Sequence, residues 1–405
     1  MKARALVLIA LGAIGAALLA GRPAGLGVTL LAWALLAFAP RNLWTLAAAV
    51  LAAIATFRAA GWVVWPAVAA AAALGMLAGA GGSSWRQVAV GLLPRPNAAP
   101  FTALRVEPGG GWRQPLTAAG LGLLLLAVFL PLFASADEAF AHLLGELVPD
   151  NTVEQPLTRV AIWIGVMALG AALLNRTGAR PAKPGTARLT RVEALVPLTV
   201  LVVLFAVFVA IQIVNLYGGN HVLSSAESYS DYAREGFAQL LIAAELTLGV
   251  IAAAVRWAPA GRARTLLLGA LCLLTLAVLA SALTRLGLYM DAFGFTPLRL
   301  AAQAAMLWIA AIFAALVVVP AAWLPRATVA LTALAILAFA VSDPDRRIAE
   351  RNLDRFERTG SLDESVLRNL SADAAPVLQA RAPELATCDP EGDGLAGFNL
   401  ARARC

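Results

Sequence analysis

Glu245 is the residue with the greatest capacity for chemistry in this sequence, because it is an acid inside an otherwise apolar run of helical length. It stands about nine residues into a predicted span, roughly 13 Å along a helix that rises 1.5 Å per residue, and so close to the middle of a bilayer. A carboxyl group at that depth is protonated unless a partner holds its charge. Gln212 and Asn215, three apart, share a face near the outer end of the preceding span. Arg285 and Tyr289, four apart, do the same one span later, and Gln303 opens the next helix beyond Asp291 and Arg299. Two readings follow. Glu245, with Arg285 or Gln212 as partner, binds a proton or solute in a transport-like path, or these groups form interhelical hydrogen bonds worth about 1 kcal/mol each that fix packing.

Other chemistries have less to build on. Glu138 and His142 are four apart on an amphipathic segment and read as a solvated helix face rather than as metal ligands. His221 has no nearby cysteine. Nucleophile elbows, His-Glu-x-x-His pairs, Cys-x-x-Cys sites and phosphate loops are all missing, the glycines at 109–111 lacking the Lys-Ser/Thr end. No cofactor is expected, and a non-enzymatic protein is preferred over an intramembrane enzyme. Cys388 and Cys405 are candidates for a disulfide closing the last loop, or else two separate thiols.

The elements that carry these residues are membrane helices. Of 405 residues, 60% are hydrophobic and 14% charged, with mean hydropathy +0.79, a composition that needs lipid as its solvent. Apolar runs over 5–21, 24–40, 43–57, 60–80, 117–134, 158–174, 195–217, 237–256, 265–284, 299–319 and 327–342 predict an all-α polytopic transmembrane bundle of about eleven spans, within a range of ten to twelve. Residues 1–80 form the N-terminal helices, 81–116 a cytoplasmic linker, 117–342 the core bundle and 343–405 a small helical extramembrane tail. Met1-Lys2-Ala3-Arg4 and the apolar stretch after it read as an uncleaved first span, with a cleaved signal peptide as the alternative.

Charge gives the direction. With the N-terminus inside, the inner loops hold sixteen basic residues against six outside, Arg22, Arg58, Arg159, Arg234, Arg285 and Arg299. The formal charge of +7 is therefore spent on orientation, since no aromatic-basic patch points to nucleic acid. Eleven spans place the tail outside the cytoplasm. Arginine-rich, lysine-poor composition, with only Lys2 and Lys183 and abundant alanine, is read as the stamp of a GC-rich bacterial genome, and the expected location is the bacterial inner membrane. Within the tail, Ala349, Leu353 and Phe356 mark one helical face, Gly360 a stop and Ser361-Leu362-Asp363-Glu364 a second start.

Particular segments then resemble a known family. Leu130-Pro131-Leu132-Phe133-Ala134-Ser135-Ala136-Asp137-Glu138-Ala139-Phe140 and Leu204-Phe205-Ala206-Val207-Phe208-Val209-Ala210-Ile211-Gln212 are similar to the bacterial membrane family of domain of unknown function 4173, related to 4153. So are Thr284-Arg285-Leu286-Gly287-Leu288-Tyr289, Phe293-Gly294-Phe295-Thr296-Pro297-Leu298-Arg299, and in the tail Asp343-Pro344-Asp345 and Ser371-Ala372-Asp373-Ala374-Ala375-Pro376. The first hundred residues carry no such resemblance. It implies a multi-pass membrane protein and brings no reaction, substrate or cofactor. The expected partners are the lipid bilayer and an envelope protein reached through the tail, in a sensing, assembly or regulatory role. A small-solute transporter is the alternative.

Overall fold

The computed structural model describes residues 23–37, 39–80, 189–217, 226–386 and 394–405, with scattered positions between 82 and 141. Among them the chain is helical, with no strand. The membrane-type helices are α1 (Leu26–Leu36), α2 (Leu43–Phe57), α3 (Gly61–Ala80), α4 (Arg191–Tyr217), α5 (Ala226–Trp257), α6 (Arg262–Phe293), α7 (Pro297–Val318) and α8 (Leu324–Val341). Six of these, α3 to α8, contain stretches long and apolar enough to cross a bilayer, while α1 and α2 are apolar but shorter. The spans expected at 5–21 and 158–174, and most of 117–134, lie outside the described residues.

The chain divides into two compact units. One comprises 1–95, 290–308 and 319–405, and the other 96–289 and 309–318. In the second, the Thr190-Arg191-Val192-Glu193 sequence starts α4 as a capping box: the Thr190 hydroxyl accepts from the Glu193 amide at 3.3 Å and the Glu193 carboxylate from the Thr190 amide at 2.7 Å. Two segments that carry the family resemblance meet there in an aromatic cluster. Phe133 stacks on Phe208 with centroids 4.3 Å apart and meets Phe205 edge-on at 4.8 Å, all three fully buried.

The first unit is built on an α1–α2–α3 bundle. Ala48, Ala52 and Ala55 have no exposed surface, so small side chains let the helix backbones approach closely. Into that contact Thr29 sends its hydroxyl to the Ala52 carbonyl at 2.9 Å, and Trp33 its indole N–H to Ala49 at 2.9 Å. Asn42 caps α2 by accepting from the Trp44 and Thr45 amides, and its Nδ2 donates to the Ala78 carbonyl of α3 at 3.0 Å.

The tail packs on this bundle. α9 (Pro344–Thr359) ends at Gly360, whose φ of +68° is the left-handed stop that glycine adopts without strain. α10 (Glu364–Arg368) is capped by Asp363, and α11 (Ala375–Arg381) follows the 3-10 turn Ala372–Ala374. Ile348, Ala349, Leu353, Leu367, Leu370 and Leu378 make its core together with Leu300 of α7. Phe356, spaced onto the same helical face as Ala349 and Leu353, is instead exposed at 42%. Because Leu300 closes the tail core and Trp62, Phe295 and Phe339 pack against it, the tail is continuous with the helices.

Asn352 makes one of these joints. Its Oδ1 accepts from the Phe295 amide at 2.7 Å and its Nδ2 donates to the Phe295 carbonyl at 2.8 Å. The neighbouring Gly294 has φ +83°, and a Cβ there would meet Asn352 Oδ1 at 2.7 Å, so both conformation and space demand glycine. Gly294→Ala and Asn352→Ala are each expected to cost roughly 1–3 kcal/mol, measured by thermal unfolding in detergent. The double variant should lose less than the sum, because both changes break one contact.

Candidate functional site

The polar groups that the sequence singles out within the membrane helices do not form one site. Gln212 and Arg285 do come together: Gln212 Oε1 accepts from Arg285 Nη2 at 2.5 Å and from the Ser281 hydroxyl at 3.0 Å, and both side chains are buried. Their positions on α4 and α6, and the arginine's reach, explain the pairing. Glu245 faces the other way, exposed on α5 beside the exposed Ile242 and Leu246. It takes no part in the Gln212–Arg285 bonding. Tyr289 and Gln303 are half-buried on α6 and α7. The Asn215 side chain lies outside the described residues. No cluster of three metal-ligating side chains occurs among the described residues.

Buried charge gathers elsewhere, where the tail sits on the helix ends. Arg58 follows α2 as its C-cap residue. Its Nε donates to the Ala340 carbonyl at 2.8 Å and Nη2 to Val341 at 3.0 Å, so the guanidinium caps the last turn of α8, where a cation meets the negative end of the helix dipole. Its Nη1 meets Asp343 Oδ2 at 2.5 Å and lies 3.7 Å from Asp373 Oδ1. Asp343 adopts φ +56°, the only non-glycine with positive φ among the described residues, and it spends its carboxylate on Arg58 rather than on capping α9.

Asp373 is 5% exposed and ties the tail to the α2–α3 turn. Its Oδ2 accepts from the Ala59 and Ala60 amides at 2.8 and 2.9 Å and from the Ser371 hydroxyl at 3.2 Å. These amides immediately precede α3, in the turn that leads into it. Asp345, 2% exposed, accepts from the Trp62 indole at 3.0 Å and the Ser371 amide at 2.9 Å. Asn399 adds a fourth tie, donating to the Ala55 and Arg58 carbonyls at 2.9 and 2.6 Å.

Two carboxylates, Asp343 and Asp373, thus face one guanidinium, and one oxygen of each, Asp343 Oδ1 and Asp373 Oδ1, is buried with no hydrogen-bond partner. The arrangement suits a proton better than a reaction. Burial pushes the Asp373 carboxyl above its ordinary range and the Asp343 charge adds to this, against the Ala59 and Ala60 amides and Arg58, which favour the ionised form. A folded-state pKa above the unfolded one makes the protonated acid the stabilising form. That contribution is complete below the ordinary carboxylate range and is lost as pH rises through the raised value.

Asp343-Pro344-Asp345 and Ser371-Ala372-Asp373, two segments that carry the family resemblance, each supply buried aspartate to the site. In the sequence Arg58 stands out only as outer-loop charge. A lone arginine between two apolar helices, facing a tail rich in aspartate, was the available signal. Of the cysteines, Cys272 is free and buried in α6, Cys405 is disulfide-bonded, and Cys388 lies outside the described residues.

Asp373→Asn is expected to keep the bonds from Ala59 and Ala60 through its amide oxygen and to offer Asp343 a donor. Unfolding temperature followed from pH 4 to 8 in detergent should fall with rising pH in the unsubstituted protein, and this slope should flatten in the variant.

No curated protein and no solved structure matches the chain. A family model described as domain of unknown function, DUF4153, matches residues 45–380. The matched family is thus 4153, the relative of the 4173 family that the motifs pointed to. It begins within α2, so helices that carried no resemblance by motif belong to the family domain, whereas residues 381–405 lie beyond the match. Arg58, Asp343, Asp345 and Asp373 fall inside it. The chain is a helical membrane protein that belongs to the DUF4153 family, a domain of unknown function.

Proposed function

We propose that this protein is a non-enzymatic regulator of the bacterial cell envelope, related also to the 4173 family, whose extracytoplasmic tail binds an envelope partner and passes that state to the membrane helices. The observation that carries the reading is the Arg58 knot: one guanidinium holds the end of α8, the start of the tail and, through Asp373, the start of α3. A tail fixed in this way moves only with the helix ends beneath it. Arg351 and Arg358 on α9 are exposed and available to a partner.

What the tail touches supports the extracytoplasmic side. Arg58 and the Phe293–Pro297 turn both belong to loops that the positive-inside distribution assigns to the outside, and both contact the tail. Three spans precede Arg58, counting one over 5–21, so this argument does not depend on the full count of eleven. The disulfide at Cys405 supports the same side, since such bonds persist outside the reducing cytosol.

The transporter reading draws on the buried Arg285–Gln212–Ser281 cluster, because arginine inside a membrane helix marks ion or solute paths as well as packing. Glu245, exposed on α5, offers it little. Unchanged solute uptake in proteoliposomes carrying Arg285→Gln would dispose of it.

A photoactivatable residue in place of Arg351 or Arg358 should give a reproducible envelope-protein adduct in cells, and Arg58→Ala should reduce it at least several-fold while membrane insertion persists. No adduct at either position, or an adduct indifferent to Arg58→Ala, would refute the regulatory reading. A reporter fused after residue 405 should be active only as an extracytoplasmic enzyme.

A further inference from the structure

We propose that the turn Gly394–Phe398, near the end of the tail, is a membrane anchor that inserts Leu395 and Phe398 among the lipids at the bilayer surface. The turn is bound to a membrane-type helix by its backbone. The Leu26 amide at the start of α1 donates to the Phe398 carbonyl at 2.8 Å. A Cβ on Gly25 would meet the Gly397 and Phe398 carbonyl oxygens at 2.6 and 2.7 Å, so the two strands of chain lie backbone against backbone. A protein carbonyl rather than water caps this helix, as a helix end reaching into lipid requires.

Depth gives the second argument. Asn42 pins the inner end of α2 level with Ala78, and Asp373 binds at Ala59 and Ala60, just ahead of Gly61. Gly61 to Ala78 measures about 26 Å along a helix, short of the hydrocarbon thickness of about 30 Å. The seat of the tail therefore lies at or slightly within the hydrocarbon boundary. At that level Leu395 is 86% exposed and Phe398 41%.

The surroundings fit lipid. Val341, Leu298 and Phe293, at the tail-side ends of α8, α7 and α6, are also exposed. Arg402 donates to the Ala24 and Gly397 carbonyls at 3.1 and 2.5 Å, bracing the turn against α1, and Arg404 beside it is exposed to meet phosphate headgroups. The turn lies beyond the family match. The inference rests on the chain being membrane-embedded and not on which side the tail occupies or what it binds.

A nitroxide on Leu395→Cys, with Cys272→Ser and the tail disulfide left oxidised, tests it in phosphatidylcholine–phosphatidylglycerol vesicles. Thr359→Cys, exposed at the far end of α9, is the aqueous control. Oxygen should relax the label at 395 several-fold more than a water-soluble nickel chelate does, with the order reversed at 359. Dominant nickel access at 395 would overturn the anchor. So would a label that neither reagent reaches, which would mean a protein contact instead. Leu395→Cys replaces an almost fully exposed side chain, and matching unfolding temperature confirms that it folds.

Discussion

A helix that ends at a membrane surface leaves carbonyls and amides that neither lipid nor the helix itself can satisfy, and here a single arginine is made to answer for several ends together. Arg58 donates to the last carbonyls of α8, and Asp373 accepts the Ala59 and Ala60 amides just ahead of α3. Asp343 balances the guanidinium from the start of the tail. Each partner is costly alone: an unpaired buried carboxylate or guanidinium costs several kcal/mol, so removing one exposes the expense of the others. The tail is held on the bundle for that reason as much as by its apolar core, which itself borrows Leu300 from α7.

The same arrangement explains why the tail is so rich in charge while lying against membrane helices. Surface pairs such as Arg381 with Asp354 and Glu357, or Arg368 with Glu364, are solvent-exposed and contribute little. Asp345 and Asp373 are different, being buried and bonded to backbone or indole groups of the α2–α3 turn. Charge in this tail thus divides into a solvated face and a buried joint. Burial raises the Asp373 carboxyl and the neighbouring Asp343 charge adds to it, so Asp373 is where charge at the joint is relieved.

Apolar runs alone were enough to place six of the membrane helices and, from residue 23 on, the two shorter ones before them. Gly360 as a helix stop could also be read directly, since only a residue tolerant of positive φ ends a helix that way. The site was less legible. Glu245 drew attention because a carboxylate in an apolar run is rare, but rarity does not say which way a helix face points, and this one points out of the bundle. Arg285 and Gln212 are 73 residues apart and meet because α4 and α6 pack together, which spacing within one helix cannot reveal. Arg58 and Asp373 are farther apart still. Their contact depends on the tail folding back on the first helices, and nothing local in either segment encodes it.

If the Arg58 knot holds the tail to the helices, its charges must be energetically coupled. A double-mutant cycle with Arg58→Met and Asp343→Asn, the partners of the direct ion pair, read by reversible unfolding in mixed micelles, measures that coupling without removing either side chain's volume. The account predicts a coupling of about 1–3 kcal/mol, with each single change destabilising the docked tail more than its effect in the presence of the other. Additive effects within about 0.5 kcal/mol would contradict it.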